Sequence, residues 1–209
     1  MMNNILFCSA GRRCKLIQDF KETIGDTGKT IVAENSIYAP ARYIADKAYT
    51  VPKITDEDYI EKIIEICKKE DIKVILTLID PEIELLAKNK VKFEEMGILV
   101  ISPSEESAQI CFDKYKMYEY LKINNIPTTV TYESIEEFEK ALENKKIDFP
   151  VFVKPRTGSG SVGARKINNI TDLKIALQED KTLIIQEFMN AIDLDVDVYI
   201  DMISKKPVA

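Results

Sequence analysis

The sequence predicts an α/β protein in which a parallel sheet with covering helices is followed by a smaller α+β unit. Three observations lead there. Over the first half, short apolar runs alternate with helical stripes, the pattern of a strand-helix repeat that buries a parallel sheet. Around Ser102-Pro103-Ser104 that rhythm changes. Beyond it, Gly158, Gly160 and Gly163 crowd between two strand patterns.

Ile5-Leu-Phe-Cys8, Thr30-Ile-Val-Ala33, Val74-Ile-Leu-Thr-Leu-Ile79 and Ile98-Leu-Val-Ile101 read as buried strands. Leu16, Phe20 and Ile24 mark one helix, and Ile60, Ile63, Ile64 and Cys67 recur at i, i+3, i+4 and i+7 of another. In such a sheet, ligands sit beyond the carboxyl ends of the strands. Arg12 and Arg13 follow the first strand, where they either face an anion or simply start an exposed helix. The second unit opens with a helix from about Asp113 to Asn124, ended by Asn124-Asn125-Ile126-Pro127 and followed by the β-branched run Thr128 to Thr131. Ser134-Ile-Glu-Glu137 is a capping box opening a helix with Ile135, Phe138 and Leu142 on its apolar face. Strands are expected at Val151 to Lys154, Ala164 to Ile167, Leu183 to Glu187 and Val196 to Met202, with a helix from about Asp172 to Leu177. The change of pattern puts a boundary between residues 105 and 112, giving domains 1–110 and 111–209.

Composition limits the chemistry. The chain has 209 residues and a net charge of -6, against the basic face that a phosphate polymer requires. No nucleic acid is expected as a partner. No segment approaches a membrane span, and the apolar run from Asn4 to Ser9 is too short for a signal-peptide core. Cys8, Cys14, Cys67 and Cys111 form no CxxC pair and read as reduced, buried or half-buried thiols of a cytoplasmic protein. There is no histidine, which removes Ser-His-Asp catalysis and imidazole acid-base chemistry. Lys, Arg, carboxylates, backbone amides or a bound metal must do the work.

The glycine loop admits several readings. Gly158-Ser-Gly160-Ser-Val-Gly163 satisfies GxGxxG, but a dinucleotide fingerprint must open a helix, and Ala-Arg-Lys-Ile follows here as a strand. A Walker loop needs Lys-Ser/Thr where Ala164-Arg165 stands. A kinase lid carries its lysine on a later strand, together with His-Arg-Asp. What remains is a strand ending in Lys154, a Gly/Ser loop and a returning strand. This arrangement suits a triphosphate, because Lys154 offers a point charge and glycines let backbone amides close on oxygens. On the loop alone, a plain hairpin turn fits as well. The single glycine and wrong spacing of Ser9-Ala-Gly11-Arg-Arg13 speak against a Rossmann oxidoreductase built on the first strand.

Five segments in order, "NILFCSAGRR", "YAPARYIADKAYTVP", "DKYKMYEYLKINNIPTT", "FPVFVKPRTGSGSVGARKI" and "LIIQEFMNAIDLDVDVYID", resemble the ATP-grasp superfamily. The likeness is to the carbamoyl-phosphate synthase large subunit and its stand-alone relatives, and it spans essentially the whole chain. It implies a pre-ATP-grasp Rossmann-like domain followed by the first, incomplete part of an ATP-grasp α+β domain. By that resemblance Lys114 and Lys154 are phosphate contacts, and Ser159, Gly160, Ser161 and Gly163 belong to the lid. Gln186, Glu187, Phe188 and Met189 form the strand and hinge whose backbone reads adenine, and Asp193 stands where the family has a ribose-binding glutamate.

The family's cofactors are ATP and Mg2+, and its substrates are a small-molecule carboxylate and an amine or ammonia. A homo-oligomer fits the family. The departures are Ala191 in place of the usual glycine and the shorter Asp193 in place of glutamate. The magnesium ligands and the catalytic residues are expected beyond Ala209, so the sequence reads as a fragment inactive on its own, and no metal ligand is assigned within it. The row Asp193, Asp195, Asp197 and Asp201 is the wet face of a half-buried strand or, less simply, a cation site. The alternative to a ligase is a nucleotide-binding or regulatory module without turnover.

Overall fold

The computed structural model describes residues 3–192, 194–201 and 204–208. The first part runs β1 (Asn4–Cys8), α1 (Cys14–Ile24), β2 (Thr30–Glu34), β3 (Lys47–Thr50), α2 (Tyr59–Lys69), β4 (Ile72–Thr77), α3 (Asp80–Lys88), α4 (Lys90–Glu94) and β5 (Leu99–Ile101). Its five strands are all parallel, in the order β3-β2-β1-β4-β5. The central strand β1 is buried throughout because helices cover both faces. Leu6 and Cys8 pack with Tyr59, Ile63, Leu86 and Phe93 on one side. Ile5 and Phe7 pack with Ile17 and Phe20 of α1 on the other, where the Phe7 and Phe20 rings meet edge to face at 5.0 Å.

Two local differences from the sequence reading have simple causes. β3 carries no apolar run and becomes a strand only because it pairs with β2 along the sheet edge. β4 ends at Thr77 rather than Ile79, because Asp80 and Pro81 already form the first turn of α3.

The second part contains α5 (Glu105–Phe112), α6 (Lys114–Ile123), β6 (Thr131–Tyr132), α7 (Ile135–Glu143), β7 (Val151–Pro155), β8 (Arg165–Ile167), α8 (Ile170–Glu179) and β9 (Leu183–Glu187). α5 touches both α3 and α6. β6, β9, β7 and β8 form an antiparallel sheet in that order. Val151, Val153, Leu183 and Ile185 point to one face and pack under Phe138 of α7 and Leu173 of α8. Both helices lie on that face, so the alternate residues are free to build something else.

The capping box at α7 is half made. Ser134 Oγ accepts from the Glu137 N–H at 3.2 Å, and among the described residues Glu137 returns no bond. The strand expected from Val196 to Met202 shrinks to β10 (Tyr199–Ile200), paired with β11 (Pro207–Val208); Met202 lies outside the described residues. Leu194, Val196 and Val198 are exposed, as are Asp195 and Asp197, so the half-buried face is not formed. A strand buries a face only against a second layer, and no described residue supplies one there.

All four cysteines are free. Cys111 departs from the expected burial, lying exposed on α5. Among the described residues no helix is long and apolar enough to cross a membrane.

Candidate functional site: a lysine-lined hairpin cavity

Alternation along β7 sends Val151 and Val153 into the core and turns Phe152 and Lys154 to the opposite face. Register extends that face across the sheet. Phe152 lies opposite Lys166 on β8 and opposite Gln186 on β9, so the three form a row. β7 then turns through the loop of residues 156–164 into β8. Gly158, Gly160 and Gly163 all take positive φ there, and a Cβ on Gly163 would stand 3.3 Å from the Pro155 ring. Gly163 is therefore doubly required, by its backbone angle and by close packing. Ser161 shares the left-handed conformation, with φ 58.

Loop and sheet enclose a cavity of about 540 Å³, lined among others by Lys114, Phe152, Lys154, Ser159, Gly160 and Ser161. Among the described residues the lining contains no carboxylate. Lys114 arrives from the first turn of α6, where Asp113 accepts from the Tyr115 and Lys116 amides at 3.0 and 3.1 Å as N-cap. Its Nζ donates to the Gly158 carbonyl at 2.8 Å, on the loop. Burial holds the Lys154 ammonium below the usual lysine range, and the nearby charge of Lys114 lowers it further. Burial also lowers Lys114, against the pull of Asp80 and Asp113. Two cations thus share one cavity, an arrangement that favours an anionic occupant.

The carboxyl ends of the parallel strands look quite different. Glu34 accepts from the Gly11 N–H at 2.8 Å, and Glu82, fully buried, accepts from the hydroxyls of Tyr59 and Thr77. Burial pushes both carboxyls above the usual range, while these donors pull them back. Arg13 donates through Nη2 to the Leu78 carbonyl at 3.1 Å. The turn after β1 therefore spends an amide on the protein's own carboxylate, where a dinucleotide fold offers it to pyrophosphate. Arg12 and Arg13 both lie on the surface at the start of α1.

Residues 5–101 match the PylC-like N-terminal domain family, and residues 111–209 match the ATP-grasp domain family. The chain belongs to the ATP-grasp superfamily. It is 32% identical over 115 residues to a D-alanine–D-alanine ligase of Clostridium acetobutylicum, covering 49% of this chain and 33% of that protein. With a carbamoyl-phosphate synthase of Methanobrevibacter smithii it shares 26% identity over 188 residues, covering 88% of this chain and 49% of the relative. The chain thus spans a third to a half of the curated relatives it matches. The biotin carboxylase domain of Hydrogenobacter thermophilus 2-oxoglutarate carboxylase, crystallised with MgADP, ADP and bicarbonate, has the same fold. It superposes with a TM-score of 0.65 at 22% identity, over 91% of this chain and 45% of that one.

Within this ATP-grasp chain, Lys114, Lys154, Ser159, Gly160 and Ser161 converge on one cavity. Gly163 closes the loop beside it. Gln186 lies on the same sheet face, its Nε2 donating to Thr131 Oγ1 at 2.9 Å. Glu187 points its side chain elsewhere, accepting from the Val130 N–H at 2.8 Å. Phe188 carries the Lys166 ammonium 4.3 Å from its ring centre, and Met189 is exposed. None of Gln186 to Met189 lines the cavity itself. Asp193 lies outside the described residues. Phe152 and Lys166 are absent from the sequence reading, although strand alternation from Lys154 signals the first, and hairpin pairing then signals the second. Asp113, immediately before a helix, carries an N-cap signal.

Proposed function

We propose that the hairpin cavity grips the phosphates of ATP, delivered as MgATP, in an ATP-dependent carboxylate–amine ligase. The observation that carries this reading is the meeting of Lys114 and Lys154 on a cavity whose described lining has no carboxylate. Lys114 and Lys154 neutralise phosphate charge, and the amides of Ser159 to Gly163 close over the oxygens. Gln186 to Met189 flank the base, beside the Phe152 ring, and Asp193 takes the ribose. The residues divide at about 110, so that the nucleotide lies with residues 111–209.

The residues fit a polyphosphate. Among the described residues no three carboxylate or cysteine side chains gather, and Mg2+ held through substrate phosphates needs only one or two protein ligands. Mg2+ is therefore read as the companion of the triphosphate, and no residue of this chain is assigned to it. In the whole enzyme the terminal phosphoryl group passes to a carboxylate oxygen, releasing ADP. An amine or ammonia then attacks the acyl phosphate and expels phosphate. The names of the curated relatives support this class of reaction. The loop excludes water from the mixed anhydride, and the lysines act more strongly where water is excluded. Four free thiols support a reducing, cytoplasmic setting.

Calorimetric titration of MgATP into the protein and into its Lys154→Ala variant tests the reading. Saturable binding by the parent, weakened at least tenfold in the variant, is expected for the loss of one charge-assisted phosphate contact of about 1.5–3 kcal/mol. A folded parent that takes up no nucleotide would reduce the glycine loop to a hairpin turn.

A further inference from the structure

Arg156 stands two residues after Lys154, at the base of the glycine loop, and both its backbone and its side chain are tied down. Its N–H donates to the Thr182 carbonyl at 2.8 Å, and its own carbonyl accepts from the Lys114 N–H at 3.0 Å. The guanidinium donates through Nε to Asp113 Oδ2 at 2.7 Å and through Nη1 to Glu133, while lying 5.4 Å from the centre of the Tyr115 ring. Asp113 meanwhile uses its other oxygen to cap α6. One arginine therefore joins the loop, the first turn of α6 and the turn between β6 and α7.

The joint lies where it is needed. Lys114 and Lys154 come from segments forty residues apart in sequence, and their charges repel across the cavity. Lys114 also sits at a helix N-terminus, whose partial positive charge disfavours a cation. The bonds from the Lys114 N–H to the Arg156 carbonyl and from its Nζ to the Gly158 carbonyl oppose these forces, and the guanidinium adds two charged ties, to Asp113 at the same turn and to Glu133. Two charge-assisted bonds to a planar guanidinium fix direction as well as distance, which a lysine at the same position could not do.

We propose that Arg156 is a positioning residue: by clamping Asp113 and Glu133 it holds the first turn of α6, and so Lys114, at the cavity where a triphosphate meets both lysines at once. The role rests on the nucleotide reading above and adds to it a residue that touches no phosphate.

A double-mutant cycle on MgATP affinity tests it, with thermal stability measured alongside. Arg156→Met is expected to weaken binding about tenfold in the parent, and by less than about twofold when Lys114 is already alanine. Arg156→Lys, which keeps the charge and loses the fork, should fall between parent and Arg156→Met, and Glu133→Gln should lower affinity by a smaller factor. If Arg156→Met does not fold, Arg156→Lys and Glu133→Gln carry the cycle. Equal losses with and without Lys114 would mean general structural support and overturn the proposal, as would unchanged affinity. A parent that binds no MgATP brings down the nucleotide reading, and this role with it. That failure shows before any Arg156 variant is made.

Discussion

At the carboxyl ends of β1, β2 and β4, Glu34 and Glu82 each meet donors from their own chain, whereas Lys154 shares the hairpin cavity with a second cation, Lys114. The first region is a place where a parallel sheet commonly binds ligands, and here it is sewn shut from within. The second is a turn between antiparallel strands, and it is left with an excess of positive charge. Completed polar networks add rigidity; uncompensated charge costs stability and creates affinity. The contrast supports the second sheet as the proposed nucleotide site.

The largest effect should come from breaking the closed region. Glu82→Leu strips Tyr59 and Thr77 of their shared acceptor and should destabilise the protein by about 3 kcal/mol. Chemical denaturation measures this, and MgATP affinity of the folded fraction should be unchanged if the two regions are independent. Next, Gly163→Ala strains a left-handed backbone against Pro155 and should cost about 1–2 kcal/mol, with weakened nucleotide binding.

The smallest effect has the most telling sign. The folded-state pKa of Lys154 lies below its unfolded value, so between the two the unfolded chain binds more protons. Its contribution to stability therefore rises with pH through that window, toward the ordinary lysine range, and below the window the penalty is fully present. Lys154→Met should raise the melting temperature of the ligand-free protein at neutral pH while losing MgATP binding. A melting temperature that falls instead would show that Lys154 is a structural cation and remove the contrast between the two regions.

Local pattern carried much of the fold. β1, β2, β5 and β9, together with α1, α2, α7 and α8, are legible because each has a continuous apolar run or a helical stripe that reports burial by itself. β3 is not legible, since KAYT has no such pattern and owes its conformation to β2. The segment from Val196 failed in the opposite direction. Its alternation is genuine, but alternation reports a capacity to bury one face, and no described layer meets it. In the cavity, Lys154 and the glycines are adjacent in the chain and can be read together. Lys114 is legible only through the resemblance to ATP-grasp proteins, and Arg156 is not legible, because its partners Asp113 and Glu133 are remote in sequence.

The sequence alone determined the strands and helices that carry their own apolar run or stripe, and that histidine chemistry is excluded, since these depend on residue type and short-range spacing. Tertiary structure decided which charges are neutralised and which are left facing a cavity. Glu34 and Lys154 both follow apolar strand residues and look equally available in the sequence. Pairing across the parallel sheet brings an amide to one, while the antiparallel hairpin and α6 bring a second cation to the other. Charge balance depends on distances in space, and only the folded chain sets those.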